Sequence, residues 1–217
     1  METKWLTRRW LRTWHDKEVA PRYSEYCSMV AKPEAVNALS SAMRREIEYV
    51  WNASGTLLDQ LESLPRCWCH LDAFRRNLFA VGHKTVAIDW AFTGWGAYGE
   101  DLAGFVLPTV MWNGVNPSEA AEFKELAFAK YICGLREAGW RGDEHAVRFS
   151  YLAHGSLRYS CRIASRFVEL AFSEQARAQA AEVLGANEDT VFDWMRFRLD
   201  FLFSNHHELR SLSKNIR

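Results

Sequence analysis

The N-terminal third of the chain is organised by apolar residues that recur at helical spacing. Over residues 4–14, large apolar side chains, including three tryptophans, alternate with arginines, which is typical of an amphipathic helix. Residues 21–23 include a proline and predict a break in the helical pattern. A second apolar pattern then predicts a helix over residues 33–64, which Pro65 ends and which Gly55 weakens.

Short runs of alternating and β-branched residues follow Pro65. They occupy residues 67–71, 78–81 and 85–88, and the last two runs predict a hairpin whose turn is the three-residue segment 82–84. Helical patterns then return, over residues 101–112, 117–138, 143–172, 174–184 and from 188 to near the C-terminus. The predicted fold class is therefore mainly α, with one small β-hairpin island.

The overall charge of the chain excludes several kinds of partner. Lys+Arg and Asp+Glu number 27 each, so no net field attracts nucleic acid or an anionic membrane surface, and we expect neither partner. No apolar run of about 20 residues is present, and no apolar segment follows the N-terminal charges, which predicts a cytoplasmic protein. The five cysteines are scattered and odd in number, which favours reduced thiols over a disulfide scaffold.

The predicted hairpin brings two oxygen-bearing side chains together. A turn centred on His83 would place Asn77 directly opposite Asp89, and opposed residues have Cα atoms about 4.5–5.5 Å apart. An amide oxygen and a carboxylate at that separation suit Mg²⁺, which keeps several waters and bridges substrate phosphates. Asp72, five residues before Asn77, lies in the connecting loop and would present a base beside the metal.

These residues carry a family resemblance. The pattern His70-x-Asp72-x(4)-Asn77 resembles the catalytic loop of protein kinases. With Ile88-Asp89-Trp90 and the glycine-bearing segment 94–103, the chain more closely resembles the aminoglycoside phosphotransferase and choline kinase group. The resemblance implies the C-terminal catalytic lobe of a protein kinase-like fold, which transfers a phosphoryl group from ATP, with Mg²⁺, to a hydroxyl of a small molecule.

The same resemblance implies a role for each matching residue. Asp72 would be the catalytic base that accepts the proton of the acceptor hydroxyl. Asn77 and Asp89 would bind Mg²⁺, and His70 would orient the catalytic loop. Asp101, on the loop that leads into a helix, would brace the catalytic loop by hydrogen bonds.

Three departures from the family pattern change these expectations. Leu71 stands where aminoglycoside phosphotransferases usually have glycine. Phe74 stands where protein kinases have a phosphate-facing lysine, so Arg75 or Arg76 would have to supply that charge. Before His70 the sequence has only helical patterns, without the glycine-bearing phosphate loop and strand lysine of an N-terminal β lobe. We therefore expect that lobe to be absent from this chain.

The resemblance also divides the chain into parts of one catalytic lobe. Residues 1–64 would be leading helices, residues 65–103 the catalytic and metal loops, and residues 104–217 a helical subdomain. A bare lobe interface would expose apolar surface near the first helix and would favour an N-terminal lobe in trans or a homo-oligomer. Without that lobe, we expect Mg-ATP to bind weakly, with a dissociation constant of about 1 mM or higher.

Two functions stay open at this level. The first is an active phosphotransferase, whose acceptor is a small hydroxyl compound that could carry an amine. Acidic residues of the helical part would attract such an acceptor, and the candidates are Glu100, Glu169 and Asp200. The second is a truncated, split or inactive lobe that serves as a binding module without independent catalysis.

Two further motifs have alternative interpretations. The run Cys67-x-Cys69-His70 has the beginning of a zinc-binding pattern, but no second ligand pair has suitable spacing, which favours cysteines packed in the core. Trp90 and Trp95 lie close in sequence to Asp89, the expected metal residue. They could line an acceptor pocket by cation–π contact with an amine, or they could belong to the core.

Overall fold

The N-terminal part of the chain forms one uninterrupted helical stretch. The computed structural model describes residues 7–32 and 39–216, in which α1 (Trp10–Trp14), a π-helical turn (His15–Val19) and α2 (Ala20–Val30) follow one another directly. The break predicted at residues 21–23 is therefore wrong. Pro21 is tolerated because it lies at the start of α2, just after the π turn, where the missing N–H group is least needed.

The next helix, α3 (Ser41–Ser63), continues through Gly55 without interruption and ends two residues before Pro65. Of the helices predicted at residues 4–14 and 33–64, positions 4–6 and 33–38 lie outside the described residues. The later helices are α4 (Glu100–Met111), α5 (Ala120–Glu137), α6 (Glu144–Phe172), α7 (Glu174–Leu184), α8 (Glu188–Ser204) and α9 (His206–Ser213). The chain is mainly α-helical with two small antiparallel sheets, so the predicted secondary-structure class is confirmed.

The first sheet pairs β1 (Arg66–Cys69) with β4 (Gly94–Ala97), and in its register Cys69 faces Gly94. The sequence pattern did not predict β4, because glycine disfavours strands. A side chain at Gly94 would collide with the backbone of Thr7, whose carbonyl accepts a hydrogen bond from the Trp95 N–H at 2.9 Å. The glycine therefore permits a close approach between two distant parts of the chain.

The second sheet is a hairpin of β2 (Leu78–Val81) and β3 (Lys84–Ala87), in which Leu78 faces Ala87. The predicted three-residue turn is wrong. Gly82 has a φ of 58° and opens a two-residue turn of the kind that requires glycine at its first position. Lys84 consequently belongs to the strand, and the register differs by one residue from the predicted one.

The chain divides into two compact units, each with its own core. The first contains residues 1–12, 56–155 and 208–217, and it includes both sheets. The second contains residues 13–55 and 156–207, where buried side chains such as Ile47, Phe167 and Leu199 form one apolar cluster. Among the described residues, no helix combines the length and apolar character that crossing a membrane requires.

Candidate active site

The loop after β1 holds a strained residue in the core of the first unit. Leu71 has a φ of 60° and is only 1% exposed. A residue with a Cβ atom adopts this left-handed conformation at a cost of about 1–2 kcal/mol, whereas glycine adopts it without that cost. The buried side chain of Leu71 offsets the strain, so this residue is accommodated by packing.

Asp101 holds this loop in place. Its carboxylate accepts the backbone N–H of His70 at 2.9 Å and that of Leu71 at 2.7 Å. Asp101 lies in the first turn of α4 instead of on the loop before the helix, where the helix dipole favours a negative charge. Burial raises the pKa of the Asp101 carboxyl above its ordinary value, and the two backbone hydrogen bonds oppose that shift.

Asn77 and Asp72 are directly joined by their side chains. The Asn77 amide nitrogen donates to the Asp72 carboxylate at 3.1 Å and to the Asp72 backbone carbonyl at 3.0 Å. Because the nitrogen is committed to Asp72, the amide oxygen of Asn77 has a fixed orientation, and we find no hydrogen bond to it from residues 7–32 or 39–216. An oriented amide oxygen thus lies beside a carboxylate.

The backbone of Ile88 links this pair to the residue that follows the hairpin. Its N–H donates to the Asn77 carbonyl at 2.9 Å, and its carbonyl lies 2.8 Å from Nε2 of His70. A carbonyl can only accept, so Nε2 carries the hydrogen and Nδ1 is the acceptor for the Asp72 backbone N–H at 3.3 Å. His70 therefore fixes both Ile88 and Asp72 through one neutral ring.

Asp89 comes directly after Ile88 and adopts a left-handed conformation, with φ 60° and ψ 64°. Its predicted pairing opposite Asn77 is wrong, because the two-residue turn places Ile88 there instead. The Asp89 side chain is exposed, and no polar contact from the described part of the chain engages its carboxylate. Asp89 is therefore positioned by the residue that Asn77 and His70 both hold.

The donor set at this place suits a hard cation. Asn77 supplies an amide oxygen next to the Asp72 carboxylate, and Asp89, which supplies a second carboxylate, directly follows the residue whose backbone is bonded to Asn77. Within residues 7–32 and 39–216, no group of three or more His, Cys, Asp or Glu side chains could enclose a metal ion. Few oxygen ligands from the protein are typical of Mg²⁺, which keeps waters and binds phosphate oxygens, so the residues fit this ion.

Two arginines lie between Asp72 and Asn77 in the sequence. Arg75 and Arg76 belong to the 3-10 turn Arg75–Asn77, and both are exposed. The Arg76 guanidinium lies 5.5 Å from the centre of the Phe74 ring, which in turn lies 5.5 Å from Trp112. No ion pair to either arginine is present in the described residues, so both can receive an anion.

The tryptophans and cysteines near the site take different places. Trp90 is 47% exposed, and its ring lies 4.6 Å from that of His70, while Trp95 is 40% exposed on the first sheet.

The sulfur atoms of Cys67 and Cys69 lie 3.5 Å apart on β1, and the Cys69 side chain is buried. Since His70 is bound to the Ile88 carbonyl, it is not turned toward these thiols as a shared ligand.

Glu100 is a buried structural residue, which the sequence did not indicate. Its carboxylate accepts the Ala97 backbone N–H at 2.7 Å and lies 2.9 Å from Nδ1 of the fully buried His154. Glu100 is thus not available to attract an acceptor. Of the other two acidic candidates, both in the second unit, Glu169 pairs with Arg166 at 2.6 Å and Asp200 is exposed.

Comparison with known families decides what kind of protein carries this arrangement. A model of the phosphotransferase enzyme family matches residues 28–141, more than half of the 217-residue chain. The chain belongs to the phosphotransferase enzyme family. The match confirms the family inferred from the sequence, and the matched segment of this phosphotransferase-family chain includes every residue of the arrangement from His70 to Asp101. No curated protein sequence matches the chain.

Proposed function

We propose that this chain is the catalytic lobe of an ATP- and Mg²⁺-dependent phosphotransferase with a protein kinase-like fold. It would transfer a phosphoryl group to a hydroxyl of a small molecule. The observation that carries the proposal is the bond between Asn77 and Asp72, because it sets an oriented amide oxygen beside a carboxylate. Family membership supports the reaction class.

In this proposal Asp72 is the catalytic base. Its carboxylate accepts the proton of the acceptor hydroxyl as that oxygen attacks the terminal phosphorus atom of ATP, and ADP leaves. Asn77 donates to Asp72, and the backbone N–H of Asp72 donates to the His70 ring; these bonds hold the loop that presents this carboxylate. Positioning of this kind supplies much of the rate acceleration in phosphoryl transfer.

The amide oxygen of Asn77 and the carboxylate of Asp89 would hold Mg²⁺. Such an ion would supply positive charge that offsets the negative charge developing on the transferred phosphoryl group. His70 acts as a positioning residue, since it holds the Ile88 carbonyl just before Asp89. Asp101 is a second positioning residue, which fixes the backbone of the catalytic loop.

The neighbouring side chains suggest how the two substrates are recognised. Arg75 and Arg76 would contact phosphate oxygens, for which a guanidinium group is well suited. The exposed face of Trp90, beside His70, would receive an acceptor that carries an amine, through a cation–π contact. The acceptor hydroxyl would thereby be brought near Asp72.

The test follows phosphoryl transfer by ³¹P NMR with Mg-ATP and a panel of small amino alcohols and sugars. We expect a phosphomonoester signal with the wild-type protein and a loss of about 100-fold or more in rate for Asp72→Asn, the scale of general base catalysis. Asp193→Asn, an exposed aspartate of the second unit, is the matched control. A rate for Asp72→Asn within about threefold of wild type would show that Asp72 is not the base.

A second candidate function is an interaction module, and the exposed apolar surface of the sheets favours it. Trp68, which is 46% exposed, faces Trp95, which is 40% exposed, across the first sheet. Phe79 faces Val86 across the hairpin, with 47% and 43% exposed. The expected apolar surface near the first helix is not found at Trp10, which is buried and lies 5.7 Å from Phe92 in a ring contact.

This surface would be covered by an N-terminal lobe supplied in trans or by a second copy of the chain. Sedimentation velocity tests self-association, which we expect to weaken in the double variant Trp68→Ser, Trp95→Ser. Leu126→Ser, at a 55% exposed position on α5, is the control. A monomer that transfers phosphate efficiently would favour the enzyme as the whole function of the chain.

A further inference from the structure

The second compact unit contains a cavity of about 340 Å³ between side chains of α6, α7 and α8. This volume falls in the range of about 300–1,000 Å³ that small-molecule sites occupy. Its apolar walls are all aliphatic or thioether groups: Leu170, Ala180, Val183, Leu184, Val191 and Met195. The polar groups at its edge are Arg166, Gln179 and Arg198.

The apolar lining extends from solvent to the core. Val183 and Leu184, at the end of α7, are 78% and 42% exposed. Leu170 and Val191 are 1% and 2% exposed and belong to the apolar cluster of the second unit. A ligand could therefore place an apolar chain along a continuous apolar wall, and the exposure of Val183 and Leu184 would fall on binding.

The charged groups of the cavity are cationic. Arg198 is half-buried, with Nη1 lying 3.1 Å from the sulfur of Met195 on the wall, and burial lowers the pKa of its guanidinium. Arg166 is more exposed and pairs with Glu169 at 2.6 Å. A guanidinium beside an apolar cavity binds a carboxylate strongly, because the low local dielectric strengthens a charge-assisted hydrogen bond.

We propose that this cavity binds an amphipathic anion, an aliphatic chain that ends in a carboxylate. The chain would lie against Leu170, Val191 and Met195, and the carboxylate would contact Arg198. An aliphatic body is favoured because no aromatic side chain among the described residues lines the cavity, and an anionic head is favoured because Arg198, on its wall, is cationic. The site is independent of the proposed phosphotransferase function, since it shares no residue with the candidate active site.

The test compares octanoate, octanol and octylamine, which share one chain and differ in the head group. Binding is followed by the methyl NMR signal of Met195, and Met111, in the first unit, is the internal control. We expect octanoate to shift the Met195 signal and to bind about tenfold or more tightly than octylamine, while Met111 is unchanged. Equal affinity for octylamine, or no Met195 shift with octanoate, would overturn the proposal.

Variants separate the contribution of the charge from that of the apolar wall. Arg198→Gln should weaken octanoate binding about tenfold, whereas Arg196→Gln, at an exposed neighbouring position, should not. Val183→Asp should also weaken octanoate binding, because it adds a negative charge to the wall, whereas Val183→Lys should not. Both changes lie at a 78% exposed position, where neither should unfold the protein. Octanoate affinity that is unchanged in Arg198→Gln and Val183→Asp would contradict the proposed site.

Discussion

The side-chain amide of Asn77 donates to the carboxylate of Asp72, five positions earlier in the sequence, at 3.1 Å. One bond thereby fixes two groups of different chemistry, since it orients an amide oxygen and restrains a carboxylate. The backbone carbonyl of Asn77 also accepts the N–H of Ile88, so the residue before Asp89 is tied to the same point. Asn77 thus connects Asp72 to the segment that carries Asp89.

The first prediction concerns Asn77→Asp, which replaces the donor by a second carboxylate. We expect the free energy of unfolding at pH 7 to fall by about 1–3 kcal/mol, because a hydrogen bond becomes a like-charge contact. The repulsion raises the pKa of the pair in the folded state, so part of the loss should be recovered as the pH falls. Urea unfolding at pH 7 and at a lower pH measures both effects.

The control for that experiment is Asn116→Asp. Asn116 accepts the N–H of Ser118 at a helix start, and a carboxylate oxygen can accept the same bond. Its stability should therefore change little. An Asn77→Asp protein as stable as Asn116→Asp at pH 7 would contradict the structural role given to Asn77.

The second prediction concerns the strained Leu71. Leu71→Ala and Leu71→Gly should both lose about 2–5 kcal/mol of stability, because a buried side chain is removed. The glycine variant should be at least as stable as the alanine variant, by up to about 1 kcal/mol, since glycine adopts a φ of 60° without strain. Thermal or urea unfolding of both variants gives the comparison.

The opposite order is expected at an ordinary buried leucine. Leu107 lies inside α4, where glycine is less favourable than alanine by about 1 kcal/mol. Leu107→Gly should therefore be less stable than Leu107→Ala. The same order at Leu71 would show that its conformation is not strained.

The order of the elements and the grouping of His70, Asp72 and Asn77 could be predicted because they depend on local sequence. Helical periodicity located α4 to α8 within a few residues, although α8 and α9 form two helices where the pattern predicted one. His70, Asp72 and Asn77 lie within one short loop, and a short loop keeps its residues close together in space.

What the sequence could not predict depends on contacts between distant segments. The hairpin register followed from the φ of 58° at Gly82, which a composition pattern does not specify. The strand β4 pairs with β1, which lies more than 20 residues earlier, and Thr7 approaches it closely at Gly94; the local sequence specifies neither contact. Burial of Glu100 needs His154, which lies 54 positions later.

The third prediction concerns the brace at Asp101. Asp101→Asn should lower the free energy of unfolding by about 1–3 kcal/mol at pH 7, because an accepting oxygen becomes an amide group that faces a backbone N–H. The pKa of Asp101 is raised in the folded state, so the folded protein binds this proton more readily than the unfolded chain.

The raised pKa of Asp101 determines how its contribution to stability depends on pH. The proton-linked part of the stability that Asp101 contributes is complete below the ordinary aspartate pKa of about 3.9 and is lost as the pH rises through its folded-state pKa, while the two backbone hydrogen bonds remain at pH 7. The stability difference between wild type and Asp101→Asn should therefore grow as the pH is lowered from 7 toward that value. Asp200→Asn, at an exposed position, is the control, and a difference that shrinks on acidification would contradict the raised pKa.

The most direct test of the central claim is paramagnetic broadening by Mn²⁺ in the presence of ATP, measured on the ¹⁵N-labelled chain. If Asn77 and Asp89 bind the cation of the nucleotide complex, the side-chain amide of Asn77 and the backbone amides of Ile88 and Trp90 should broaden first. Asp89→Asn should remove this broadening while leaving the rest of the spectrum unchanged. Broadening that avoids these groups, or that persists in Asp89→Asn, would contradict the proposed site.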